Sequence, residues 1–358
     1  MINRPDKPDF ERIKTALYCS EPDRVPLAEL IIDPKIKNAY MGKKVEDLKS
    51  NVEFWATAGY DYILLSKGLL EPGHVLEGTS VQKTKTETSL YEDGIEERDW
   101  ANLHEGVIKT EEEFEKYNWP DPDDLDYSEY EEVKKLLPDN MKVITTSGKI
   151  FTCAWMLMGF EHFCMSMYAQ PDLVQRLFDK LGEIQFKVLE RVLEHTDVVK
   201  AVWMPDDIAY AEALMVSPDH LRKYLFPWYK KFSNECKLRS LPFIYHSDGK
   251  LWDILDDLIE IGFNAIHPIE PKAMDINQLK DKVKGKLCIM GNLDLGYTLT
   301  RGTPEEVIAE TKERIAYLAP GGGYCVGASN SVPSYVPIEN YKAMIETTFK
   351  YGKYPINI

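Results

Sequence analysis

The chain has 358 residues, of which 44% are hydrophobic and 28% charged, a composition that supports a large folded core and excludes disorder for its bulk. A formal charge of −16 sets a repulsive field against phosphate backbones and anionic lipid, so nucleic acid and membrane surfaces are excluded as general partners. No apolar region of the kind found in a signal peptide follows the first residues, and no run is long enough to span a bilayer, so a cytoplasmic protein is expected.

Eight short runs rich in apolar, β-branched or aromatic residues follow in order at 25–31, 62–66, 142–147, 201–204, 242–246, 264–267, 287–290 and 323–327. Each reads as a buried parallel strand. Amphipathic helical stretches lie between most of them, at 172–194, 217–238, 251–261 and 303–318. Two of these open on Ser217-Pro218-Asp219 and Thr303-Pro304-Glu305-Glu306, with proline at the first helical position and acid in the first turn. Strand alternating with helix eight times predicts an α/β fold, a single (β/α)8 TIM-type barrel over residues 1–358 with an N-terminal helical extension. The connection 67–140 is too long for a barrel crossover. It is expected to be an insertion near the barrel mouth, with β-like residues at 80–90 and an acidic segment, Trp119-Pro120-Asp121-Pro122-Asp123-Asp124. The six cysteines, Cys19, Cys153, Cys164, Cys236, Cys288 and Cys325, show no Cys-x-x-Cys pair and read as reduced thiols.

Barrel enzymes work at the carboxyl ends of their strands, where a polar side chain serves no packing purpose. The eight runs end on such residues: Glu29 and Asp33, Ser66, Ser147, Asp206 and Asp207, His246 and Asp248, His267 and Glu270, Asn292 and Asp294, Ser329 and Asn330. In His246-Ser247-Asp248-Gly249 the imidazole and the carboxylate sit two residues apart on extended backbone, so both face one point. They suit a divalent metal such as zinc, with Glu29 as a third ligand from the first strand, or equally a metal-free acid–imidazole pair. Asp206 and Asp207 are candidates to hold a substrate or to cap a helix. Trp155 and Met158, within an aromatic and thioether-rich stretch, line either an apolar pocket or the core.

These residues carry a resemblance. Glu21-Pro22-Asp23-Arg24-Val25-Pro26-Leu27-Ala28-Glu29, the stretch from Asp206-Asp207 through Ser217-Pro218 to Pro227-Trp228-Tyr229-Lys230, His246-Ser247-Asp248-Gly249, the strand and turn at 264–271, Met290-Gly291-Asn292-Leu293-Asp294 and Gly321-Gly322-Gly323-Tyr324 together resemble the uroporphyrinogen decarboxylase superfamily over nearly the whole chain. The decarboxylases proper carry an arginine-rich segment after the first strand, where Ile31-Ile32-Asp33-Pro34-Lys35 stands here, and an aspartate after the second, where Leu64-Leu65-Ser66 stands. Without those arginines a porphyrinogen with many carboxylates is electrostatically excluded.

The corrinoid-dependent methyltransferase branch, which binds zinc through His-x-Cys and a later cysteine, is more similar. Aspartate occupies the His-x-Cys position at Asp248, and the later position falls near Ser329, four residues after Cys325. Oxygen ligands in place of thiolates leave a harder, more Lewis-acidic ion. The resemblance therefore implies a methyltransferase that takes a methyl group from a methoxylated compound, of the kind that demethylates methoxybenzoates, and passes it to the Co(I) corrinoid of a separate protein. It implies zinc on His246, Asp248 and Glu29. Asp207, His267 and Asn292 would position or protonate the substrate, while Asp206, Trp155, Met158 and Ser329 would line its site. A corrinoid protein is the expected partner and a homodimer the expected assembly. A second-step transfer from a methylcobamide to a thiol, a metal-free decarboxylase or lyase, and a binding subunit without chemistry are the rival readings.

Overall fold

Seven of the eight apolar runs form one continuous parallel ladder. A computed structural model describes residues 7–70, 81–87, 95–101 and 106–358, with the backbone alone for 81–87 and 95–101. In chain order the strands are β1 (Tyr62–Ser66), β2 (Val81–Glu87), β3 (Ile95–Ala101), β4 (Lys142–Thr146), β5 (Val199–Pro205), β6 (Phe243–His246), β7 (Ala265–His267), β8 (Cys288–Met290) and β9 (Tyr324–Cys325). The main sheet runs β1-β4-β5-β6-β7-β8-β9, every pair parallel. Its strands are buried on both faces, which is why they read as unbroken apolar runs: Val202, Trp203 and Met204 are all inaccessible.

The first predicted strand, 25–31, departs from expectation. It joins the chain just past β9 through isolated bridges, Leu27 with Val326 and Ile32 with Val332. Two features explain this. Pro26 has no N–H to give a ladder, and the Tyr62 hydroxyl occupies both backbone groups of Glu29, accepting from its N–H at 2.8 Å and donating to its carbonyl at 2.6 Å. A phenol thus links this segment to β1 where a strand partner was expected.

The predicted helices are present, at Pro171–Val192, Pro304–Leu318 and Leu255–Ile261. The second of these opens with Pro304 at its first position as expected, and Thr303 and Glu306 also form a capping box there. The predicted helix 217–238 is interrupted, passing from Pro218–His220 through a π turn at Leu221–Leu225 into Phe226–Leu238. Pro227 has no N–H for the carbonyl of Lys223, so the ladder shifts there. The amino-terminal helix Phe10–Leu17 docks through Arg12, which pairs with Asp23 at 2.6 Å and with the buried Asp61 just before β1.

Within 67–140, β2 and β3 pair as an antiparallel hairpin. Helix Glu111–Lys116 and the turn Pro122–Asp124 lie against Pro171–Val192, where Arg176 meets Glu111 and Glu115 and Arg191 meets Asp123. Among the described residues no single helix is long and apolar enough to cross a membrane.

Replacing Tyr62 with phenylalanine leaves the buried N–H and C=O of Glu29 unpaired. Tyr62→Phe is expected to lower unfolding free energy by about 1–3 kcal/mol, read from urea denaturation against the parent chain.

Candidate active site

Parallel register gathers the site on one rim. Pro205 pairs with His246 and His246 with His267, so β5, β6 and β7 end level. Asp206 donates its N–H to the His246 carbonyl at 3.0 Å. Beyond β6 the chain turns sharply at Gly249, whose φ is 86° and where a Cβ would stand 2.5 Å from the Tyr210 carbonyl oxygen. That turn brings Asp248 back toward the rim. Its N–H donates to Asp207 Oδ1 at 2.9 Å, and Ser247 Oγ ties the two loops by accepting from the Ile208 N–H at 3.0 Å and donating to the Asp248 carbonyl.

One ligand atom from each of Asp207, His246 and Asp248 lies within 4.8 Å of the others. His246 Nε2 stands 3.6 Å from Asp207 Oδ1 and 3.7 Å from Asp248 Oδ1, too far for hydrogen bonds. The two carboxylates are half-exposed while the imidazole is buried. Burial raises the Asp248 carboxyl, and His246 and Asn330 pull it back. Asn330 Nδ2 donates to both of its oxygens, at 2.8 and 2.9 Å.

On its far side His246 meets a second imidazole, Nδ1 to Nδ1 at 2.7 Å. One of the two must donate and the other accept. Burial holds His267 far below the ordinary histidine range, so His267 is neutral and either donates or accepts through Nδ1 according to its tautomer. When His267 accepts, the His246 proton sits on Nδ1 and the lone pair of Nε2 faces the two carboxylates. His267 is fully enclosed, its ring edge-on to Trp203 at 4.9 Å, and its Nε2 has no hydrogen-bond partner.

The remaining candidates divide. The carboxylate that joins His246 and Asp248 is Asp207, not Glu29. Glu29 is fully buried, accepts the Ala328 N–H at 2.8 Å through one oxygen and leaves the other unpaired, and its carboxyl is pushed well up by burial. Asp206 is corrected from substrate residue to helix cap. It accepts from the N–H groups of Ile150, Phe151 and Thr152 at 2.8–2.9 Å and from the hydroxyls of Thr152 and Tyr229, which leaves no lone pair for a ligand. Burial pushes its carboxyl up to about 6 against the pull of those donors. The helix it caps, Ile150–Met158, precedes it in sequence.

Met158 is fully buried core, so its assignment to a pocket wall is also corrected. Trp155 is nearly buried with its Nε1 unpaired. Asn292 is buried and donates to the Ile269 carbonyl at 2.9 Å, leaving Oδ1 unpaired. His267 reaches the cluster only through His246. Two residues not assigned roles from sequence, Asn330 and Glu270, bind Asp248 and the Gly249 N–H respectively. Their positions just past strand ends were the available signal.

A cavity of 750 Å³ opens beside the cluster. Its lining includes Asp248, Glu270, Asp294, Asn330, Asp33 and Ser329, drawn from five strand-end loops. Ser329 Oγ accepts the Leu295 N–H at 3.1 Å and retains its own proton for a ligand.

Residues 94–351 match the family model described as "Uroporphyrinogen decarboxylase (URO-D)". The chain is 24% identical over 260 residues to the uroporphyrinogen decarboxylase of Mannheimia succiniciproducens, covering 69% of this chain and 70% of that one. It is 23% identical over 322 residues to Methylcobamide:CoM methyltransferase MtbA of Methanosarcina acetivorans, covering 86% and 90%. A solved structure titled "methyltransferase from Methanosarcina mazei" superposes with a TM-score of 0.67 at 17% identity, over 95% of this chain and 98% of that one, which shows a shared fold. The resemblance read from sequence is borne out.

The cap role of Asp206 has a measurable consequence. Asp206→Ala removes the carboxylate that accepts three N–H groups and two hydroxyls, and about 3 kcal/mol of stability is expected to be lost. Thermal denaturation of the variant checks this, and an unshifted midpoint would contradict the cap.

Proposed function

The chain belongs to the uroporphyrinogen decarboxylase family, and from that premise we propose that it is a methyltransferase moving a methyl group from a methoxylated compound to the reduced corrinoid of a separate protein. The observation that carries this reading is the donor set at the rim. It consists of one imidazole nitrogen and two carboxylate oxygens, and among the described residues no thiol joins it. Cys325, the nearest in sequence to the expected thiolate position, is buried with its Sγ 3.8 Å from that of Cys288.

A divalent ion such as zinc fits this group. Two ligands each about 2.1 Å from a tetrahedral ion stand roughly 3.4 Å apart, close to the 3.6 and 3.7 Å separations of His246 from Asp207 and Asp248. His246 Nε2, Asp207 and Asp248 would hold it. When bound, it supplies a Lewis acid that draws electron density from an ether or hydroxyl oxygen.

The protein's own residues do the rest. A metal on His246 Nε2 would leave the His246 proton on Nδ1, where His267 Nδ1, 2.7 Å away, would accept it in a hydrogen bond and hold the ring in place. Asn330 fixes the plane of the Asp248 carboxylate, and the Asp248 N–H fixes Asp207. Ser329 and Asn330 line the cavity that the donor would enter. The partner's reduced corrinoid would supply the electron pair that takes the methyl carbon. The C–O bond breaks with its pair on oxygen, and that oxygen takes a proton. Solvent entering the open cavity would supply that proton. Ether oxygen is a poor leaving group, so these contributions address the hardest part of the step.

Transfer to a thiol would call for the soft thiolate ligands that are absent from this group. A metal-free lyase would rely on His246 paired with a carboxylate, and the two carboxylates stand 3.6 and 3.7 Å from its Nε2, a spacing that matches shared ligation of one ion more closely than a direct hydrogen bond.

His246→Ala is expected to abolish stoichiometric metal binding and to cut methyl transfer from a methoxylated donor to cob(I)alamin by about 100-fold or more. Full activity in that variant, or in chelator-treated protein shown to be free of metal, contradicts the reading. His267→Leu should weaken metal affinity by roughly 10–100-fold, with partial rescue in His267→Gln, which keeps an acceptor. Equal affinities in the two variants would assign His267 to packing alone.

A further inference from the structure

Apart from Asp248, whose charge a bound zinc would offset, the walls of the 750 Å³ cavity carry three carboxylates, Asp33, Glu270 and Asp294, and among the described lining residues one cation, Lys272. Asp33 accepts the Lys35 N–H, Asp294 the N–H groups of Gly296 and Tyr297, and Glu270 the Gly249 N–H. These backbone donors hold the three side chains in place, and the carboxylates outnumber the described cations of the wall.

From this we infer that the cavity selects an uncharged or cationic methyl donor and rejects donors bearing a carboxylate. The inference rests on the methyl-transfer reading and narrows it, because it departs from the methoxybenzoate-type donors that the family resemblance suggested. An anion placed among these residues meets repulsion at reduced dielectric, with one ammonium among the described lining residues to offset it. The net charge of −16 extends the same sign to the approach from solvent. An uncharged ether brings no such cost, and an ammonium on its far end is attracted.

Three probes of near-identical shape test this on the zinc-loaded protein: meta-methoxybenzyl alcohol, meta-methoxybenzylamine and meta-methoxybenzoate. Calorimetric titration at low salt should give dissociation constants for the alcohol and the amine about tenfold or more below that of the benzoate. The gap should narrow as salt rises and in a Glu270→Gln/Asp294→Asn double variant, which keeps shape and acceptors but removes charge. A benzoate that binds as tightly as the alcohol, or a failure of all three to bind below about 10 mM, overturns the inference. Methyl transfer to cob(I)alamin is scored separately on the same probes. The expected charge order without transfer would leave charge selection standing and remove the demethylation reading. Preferential binding and demethylation of the benzoate would do the reverse.

Discussion

The site depends on the level register of three neighbouring parallel strands. Pro205, His246 and His267 stand side by side, so two imidazoles from different strands meet through their Nδ1 atoms, and the residues just past Pro205 come to lie beside those just past His246. A slip of one residue in β6 would turn His246 to the opposite face of the sheet and dissolve both relationships together. The burial of β5 and β6 on both faces is what makes such a slip costly, since every apolar side chain in the ladder would move with it.

Two adjacent aspartates show how that geometry divides labour. Asp206 turns inward, is fully enclosed, and spends its oxygens on the start of helix Ile150–Met158 and on two hydroxyls. Asp207 turns outward, takes one N–H from Asp248 and keeps its remaining lone pairs for the rim. Extended backbone sends successive side chains to opposite faces, so one residue secures the wall of the site while its neighbour contributes to its chemistry. The same contrast separates Asp248, half-exposed and held by Asn330, from Glu29, enclosed and held by one amide with an oxygen left unpaired.

One imidazole and two carboxylates make the donor set at the rim a hard one. Asp248 stands where the resemblance implied a thiolate, and both ligand types carry one negative charge, so the exchange alters the softness of the site and leaves its charge unchanged. The cavity beside it lacks arginine among its described lining residues.

The sequence alone determined most of the strands, because a strand buried on both faces must be written as a continuous apolar run, and it located the rim, because polar residues at the ends of such runs have no packing role. Thus 242–246 was legible as the strand observed at Phe243–His246, and His246 and Asp248 as its functional end. Tertiary structure decided the rest. That Asp207 joins the pair in place of Glu29, that Asp206 caps a helix lying before it in the chain, and that Asn330 holds Asp248 are contacts across 41, 56 and 82 residues of sequence. No local spacing encodes them. The first strand fell short for a related reason: the bond that replaces its ladder comes from the Tyr62 side chain, and periodicity reports which face a residue takes without reporting which partner it finds there.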